Sequence, residues 1–297
     1  MKKVLLILIV GILLVSCGEK AYSTVETDYP KSASYTKQEV LHSHFDNIEE
    51  CVDGVVAYIS ESTIADGYIG VSLKEGISEE IKLRINKGEQ KYTYDVDSLD
   101  MVAFPLNMGD GTYSILLYQN IQGDEYALVY SQDINANFEN PNIMYLYPNQ
   151  VVDYDKSDLV IDKSFEITAN DEDDLNRTYH LYSYVIDALS YDYKKADDVS
   201  STYTLPDIED AINRKKGICF DYASLLASLC RCQHIPARVI VGYTDIGYHA
   251  WVEIYLENEG WINPKFYFDG TDWSLVDPTM DDSGSDYEGA YDEVYHY

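Results

Sequence analysis

The chain has 297 residues, 46% of them hydrophobic and 25% charged, a globular composition long enough for about two domains. Its formal net charge is −31. That balance excludes the basic face expected of a nucleic-acid binder and any electrostatic docking on anionic lipid; it fits a solvated acidic surface.

Taken in chain order, Lys2 and Lys3 precede the apolar run VLLILIVGILLV (4–15), which ends in Leu14-Val15-Ser16-Cys17. A membrane-spanning helix needs roughly twenty apolar residues, so this run is too short to cross comfortably. The basic start, apolar middle and small residues read as a secretory signal. Its last four residues resemble the lipobox of bacterial lipoproteins. The resemblance implies that 1–17 is a lipoprotein signal peptide and that Cys17 carries the lipid. The protein would then sit on the extracellular face of the cell membrane, held through its lipid anchor only. An ordinary cleaved signal or an uncleaved anchor is the alternative. Residues 18–40 are polar without an apolar period and read as a tether. A short helix is expected over about 40–54.

From 55 to 135 short alternating runs are separated by turn residues: VVAYIS, GYIGVSL, EEIKLRI, KYTYDV, MVAFPL, TYSILLYQ and YALVYSQ. Ile81, Leu83 and Ile85 share one strand face, as do Tyr113, Ile115 and Leu117. Strands at this spacing predict a β-sandwich over 41–140. The stretch NMGDGTYSI (107–115) resembles the corner before strand F of immunoglobulin-like domains, with Tyr113 in the corner position. On that resemblance Ile115 stands where the second cysteine usually lies, so no inter-sheet disulfide is expected.

Residues 141–170 read as a connecting region. Helical periodicity then begins after the acidic stretch Asp171–Asp174, which is read as a helix start in preference to a metal site. PDIEDAINRKKG predicts a further short helix ending at Gly217. The next stretch, GICFDYASLLASLC, places Cys219 at the start of a helix. Unpaired amides and the helix dipole favour a thiolate there. ARVIVGYT (237–244) and YHAWVEIYLE (248–257) read as strands, the second with His249, Trp251, Glu253 and Tyr255 on one face. DWSLVDPTM (272–280) is expected to be a third strand, carrying Asp277.

A cysteine becomes a strong nucleophile when an imidazole takes its proton, and the imidazole needs a partner that fixes its tautomer. Cys219, His249 and Asp277 occur in the order that supplies these parts. Each has a plainer reading alone: a cysteine on an apolar helix face and a histidine on a strand are ordinary core residues. Cys51, Cys230 and Cys232 are read as small core hydrophobes, because four scattered cysteines do not make a disulfide scaffold. His42 and His44 have no completing ligands at metal spacing, and no cofactor is implied.

GICFDYASLLASL, IPARVIVGY, HAWVEIY and LVDPTM together resemble the transglutaminase-like superfamily, whose core is papain-like, over roughly 175–280. The resemblance implies a transglutaminase-like domain over 141–297; with the immunoglobulin-like β-sandwich expected before it the chain is α+β, and its acidic C-terminal stretch DDSGSDYEGAYDEVYHY reads by composition as a mobile tail. The resemblance casts Cys219 as nucleophile, His249 as general base and acid, and Asp277 as the orienting carboxylate. The substrate class it implies is an amide of a protein or peptide, including cell-wall peptide, attacked through a thioester. The two-module arrangement looks like that of exported proteins of Gram-positive bacteria. Animal members of the family are understood to stabilise the oxyanion with an upstream tryptophan. Here Trp251, Trp261 and Trp273 all follow Cys219, so transfer to an amine and hydrolysis both stay open, as does a non-catalytic adhesion or scaffold role.

Overall fold

A computed structural model describes residues 29–155, 157–199, 204–244, 247–263 and 292–297. Within them the chain is a mixed α/β protein whose first part is β-rich. Its strands are β1 (Val52–Asp53), β2 (Ala57–Ser60), β3 (Tyr68–Leu73), β4 (Ile81–Lys87), β5 (Gln90–Val96), β6 (Val102–Pro105), β7 (Gly111–Gln122) and β8 (Glu125–Ala136). They form two antiparallel sheets, in the orders β1-β2-β3-β6 and β5-β4-β7-β8. Alternation dictates which side chains go inside. Ile81, Leu83 and Ile85 on β4 and Tyr113, Ile115 and Leu117 on β7 are all buried, in one core cluster with Ile59, Ile69 and Phe104 of the other sheet. The seven strands read from the alternating runs correspond to β2 through β8.

The corner before β7 is closed by Tyr113. Its buried hydroxyl lies 2.9 Å from the Leu106 carbonyl oxygen and 2.6 Å from that of Gly109, and it accepts the Met108 N–H at 3.0 Å. Three main-chain groups of a turn that could not pair in either sheet thus meet one phenol.

The second part carries α1 (Asp158–Ile167), α2 (Asp174–Ala188), β9 (Ser190–Tyr191), α3 (Tyr193–Val199), α4 (Ile208–Arg214), β10 (Lys216–Gly217), α5 (Cys219–Cys232), β11 (Ala237–Thr244), β12 (Gly247–Leu256), β13 (Gly260–Ile262) and β14 (Asp292–His296). Its sheet runs β13-β12-β11-β14. Helix α5 is the central element. Every residue from Phe220 to Cys232 is buried, and the helix packs against β12, β11, α1, α2 and α4.

Several expectations are corrected. The segment 40–54 holds no α-helix, only a 3-10 turn at Ile48–Glu50 followed by β1, since its apolar residues have no helical period. The connecting region 141–170 contains α1, started by Ser157, whose side chain accepts the Val160 N–H. The described part of the expected tether is docked along the second part. Ser32 bonds the Glu172 carbonyl and the Asp174 amide, Arg177 reaches the Ala33 carbonyl, and Tyr35 stacks on His234 at 3.7 Å. The tail expected to be mobile has regular structure over residues 292–297. They form β14 and end with the buried Tyr297, which exchanges main-chain bonds of 2.7 and 2.8 Å with Val239. Cys51 is half-buried beside a turn and not in the core, whereas Cys230 and Cys232 are fully buried; all three are free thiols.

The acidic cluster does serve a helix start. Asp173 accepts the Asn176 N–H at 2.8 Å, Asp174 pairs with Arg177 at 2.7 Å, and Asp171 bonds His180 at 2.8 Å.

Candidate functional site

The sequence Lys216-Gly217-Ile218-Cys219 folds as a strand that stops at a helix. β10 pairs in parallel with β9, so the Asp192 amide bonds the Gly217 carbonyl at 2.9 Å. Ile218 follows as the extended N-cap of α5, at φ −101° and ψ 175°, and Cys219 is the first helical residue. An isoleucine offers no side-chain acceptor to the first-turn amides, so the dipole end of α5 faces the Cys219 position without a conventional cap. Cys219 is half-buried.

Asp221, two residues on, does the anchoring. Its carboxylate is 1% exposed; it accepts the Ile218 N–H at 2.9 Å and holds the Lys195 ammonium at 2.7 and 2.8 Å. Gly217 permits this approach: a Cβ built there would lie 2.8 Å from the Asp221 Cβ. Lys195 is itself placed by Asp192, whose side chain accepts the Lys195 amide at 3.1 Å and also pairs with Arg214 at 2.7 Å. The Lys195 amide and the Arg214 guanidinium hold the Asp192 carboxyl below the usual carboxylate range.

His249 lies near the start of β12, buried, in register opposite Gly242 of β11. Ala250, Val252 and Ile254, on the alternate face, belong to the core cluster that α5 shares. The elements that bear Cys219 and His249 therefore pack on one another. Gly242 also lets β14 close in on its other side, where a Cβ would meet the Asp292 carbonyl oxygen at 2.2 Å. Further along β12, Glu253 pairs with Arg238 at 2.5 Å, and the Arg238 guanidinium lies 4.3 Å from the ring centre of Trp261. Tyr145 and Tyr255 flank that indole at 5.2 and 5.5 Å. Asp277, Trp273 and Cys17 lie outside the described residues.

The sequence reading missed Asp221, Lys195, Gly217 and Gly242. Asp221 had a readable signal, an acid at the third position of a helix, the place from which a carboxylate reaches back to the N-cap amide. Lys195, 24 positions upstream of Cys219 in the sequence, had none.

Helix α5, whose first residue is Cys219, thus lies on an antiparallel sheet whose strand β12 carries His249. The chain carries a domain that matches the transglutaminase-like superfamily over residues 161–278. No curated protein matches the sequence. Among solved structures, the chain is similar to a candidate cysteine protease of Cytophaga hutchinsonii, with 15% identity and a TM-score of 0.36 over 62% of this chain and 70% of that one. Red sea bream transglutaminase follows at 13% identity and a TM-score of 0.30, over 71% of this chain and 49% of that one. A candidate protease of Parabacteroides distasonis shows 12% identity and a TM-score of 0.30, over 64% of this chain and 38% of that one. The chain thus spans half or less of the last two.

Proposed function

We propose that this protein is a transglutaminase-like cysteine enzyme that attacks amide groups of extracellular protein or peptide through a thioester. Cell-wall peptide belongs to that substrate class. The observation that carries the reading is the position of Cys219, the first residue of a buried helix packed on the strand that bears His249. In the proposed reaction His249 takes the thiol proton, and the thiolate attacks the substrate carbonyl. The amide nitrogen leaves with the proton that His249 returns. Asp277 orients the imidazole. The Cys219 amide supplies one oxyanion donor. The acyl group then passes to an amine or to water.

Transfer requires an approach that admits an uncharged amine and excludes water, and aromatic walls serve that end. Trp261 is engaged with Arg238, Tyr145 and Tyr255, so its place in such a wall would have to be shared with that cluster. Incubation of the protein with glutamine-containing peptides, muropeptides and a labelled primary amine decides between the routes by mass spectrometry. A Cys219-dependent amine adduct establishes transfer, and deamidated or cleaved peptide without adduct establishes hydrolysis. Neither product across the panel would leave the scaffold role.

The same reading includes two modules, 41–140 and 141–297, with the first taken as immunoglobulin-like. Supporting this are the two facing four-stranded sheets, the three crossings between them along the chain, and the Tyr113 corner just before β7.

A further inference from the structure

The entrance to α5 holds a buried carboxylate and a cation for which the proposed chemistry has no assigned part. A carboxylate two residues from a nucleophilic thiol works against it, because negative charge nearby disfavours the thiolate. Yet Asp221 is buried at that spot, and the chain spends Gly217 on letting it in. Two of its contacts explain why. Through Oδ2 it takes the Ile218 N–H, which fixes the peptide that aims Cys219, and through both oxygens it binds Lys195, which cancels its charge.

We propose that Lys195 and Asp221 are a positioning pair for Cys219: the carboxylate locks the backbone ahead of the thiol, and the ammonium keeps that lock from suppressing the thiolate. The inference rests on the reading of Cys219 as nucleophile. Among the described residues, the other charged groups around this end of α5 are Asp192 and Arg214, which pair with each other, Asp210, which also pairs with Arg214, and Lys216 on β10. Contacts from α1 and α2 reach the far end of the helix, where Ser164 bonds the Leu229 carbonyl and Asp174 acts on Cys230. Lys195 is therefore the cation in direct contact with the carboxylate two residues on from the thiol.

A purely structural pair and a charge-setting pair predict different signs. Iodoacetamide labelling of the full chain, quantified at Cys219 by mass spectrometry between about pH 5 and 10, reads the difference as a labelling midpoint. Lys195→Met leaves the carboxylate uncompensated and should raise the midpoint by about one unit, slowing labelling roughly tenfold below it. Asp221→Asn keeps an acceptor for the Ile218 amide but drops the charge, leaving Lys195 unpaired, and should lower the midpoint. The double variant should return close to the parent, and Lys195→Arg should not move it. Cys230 and Cys232, both buried, must stay unlabelled if a variant is folded. Should Asp221→Asn fail that check, the contrast of Lys195→Met with Lys195→Arg still decides.

Shifts of the same sign in the two single variants, or no shift in either, overturn the proposal. His249→Ala separates this from the reaction itself. If that variant leaves the Cys219 profile unchanged while Lys195→Met and Asp221→Asn shift oppositely, the pair stands and the proposed acyl chemistry falls. If His249→Ala slows labelling and the pair variants do nothing, the chemistry stands and the pair falls.

Discussion

At the scale of single residues, Arg231 has the largest fully buried side chain of the described core, and its contacts there run to main-chain oxygens, not to an Asp or Glu side chain. In its guanidinium Nε and Nη2 reach Ala237 at 2.9 and 2.8 Å, Nη1 reaches Tyr147, and Nη2 also reaches Tyr297 at 3.0 Å. Burial pulls its pKa down to about 10, so the group stays charged at neutral pH. One side chain thereby ties the end of α5 to the segment after the β-rich part, to the start of β11 and to the residue after β14. Arg231→Met would fill the space but leave those oxygens without this donor. Each buried group left unsatisfied costs about 1–3 kcal/mol, so urea unfolding should show a loss of about 3 kcal/mol or more. A change below about 1 kcal/mol would mean that water replaces the guanidinium at no net cost.

At the scale of elements, legibility followed how much of each element's cause is local. β2 to β8 and β11 to β12 were readable because alternate apolar residues on a half-buried strand are a local signal. The start of α5 was readable because Gly-Ile-Cys breaks one pattern and begins another. β9, β10 and α3 were not: β9 and β10 are two residues each, and they exist because Asp192 and Gly217 pair across a parallel bridge that no periodicity announces. β14 was hidden for the opposite reason. Its acidic composition matches a solvated tail, while its alternation (Tyr295, Tyr297) becomes meaningful only when the edge of β11 is there to pair with. The placement of Cys219 at a helix start and of His249 on a strand was legible from the sequence, and so was the local reach of Asp221 to the Ile218 amide, whereas the Lys195 contact is tertiary. The corner before β7 gives a test at this scale. Tyr113→Phe keeps the buried ring but strips Leu106, Gly109 and Met108 of their common partner, and should cost about 1–3 kcal/mol in thermal or urea unfolding. An unchanged midpoint would show that the turn holds itself.

At the scale of the whole molecule, the described stretch 29–40 runs along α1, α2 and the end of α5, through the Lys37–Asp162 and Arg177–Ala33 contacts and the Tyr35–His234 stack. A lipid at Cys17 would then be joined to a docked strap by about a dozen residues, a reach of roughly 40 Å when extended. The net charge of −31 gives the body no electrostatic attraction to anionic membrane. Cys17→Ala should therefore abolish lipid labelling in cells and either release the protein or leave its signal uncleaved; unchanged labelling would overturn the lipobox reading of Cys17.

The pairing of β11 with β14 carries a consequence for synthesis. β11 ends at Thr244 and its outer neighbour begins at Asp292, so ~50 residues separate the two edges. A ribosome adding about 5–20 residues per second needs several seconds to close that interval. Throughout it a strand reading ARVIVGYT, apolar at nearly every second position, presents open N–H and C=O groups, the arrangement that templates pairing with other chains. That edge of β11 thus stays open to pairing with other chains until the acidic strand β14 has been made. A chaperone acting on this chain would be needed in that window and at that edge.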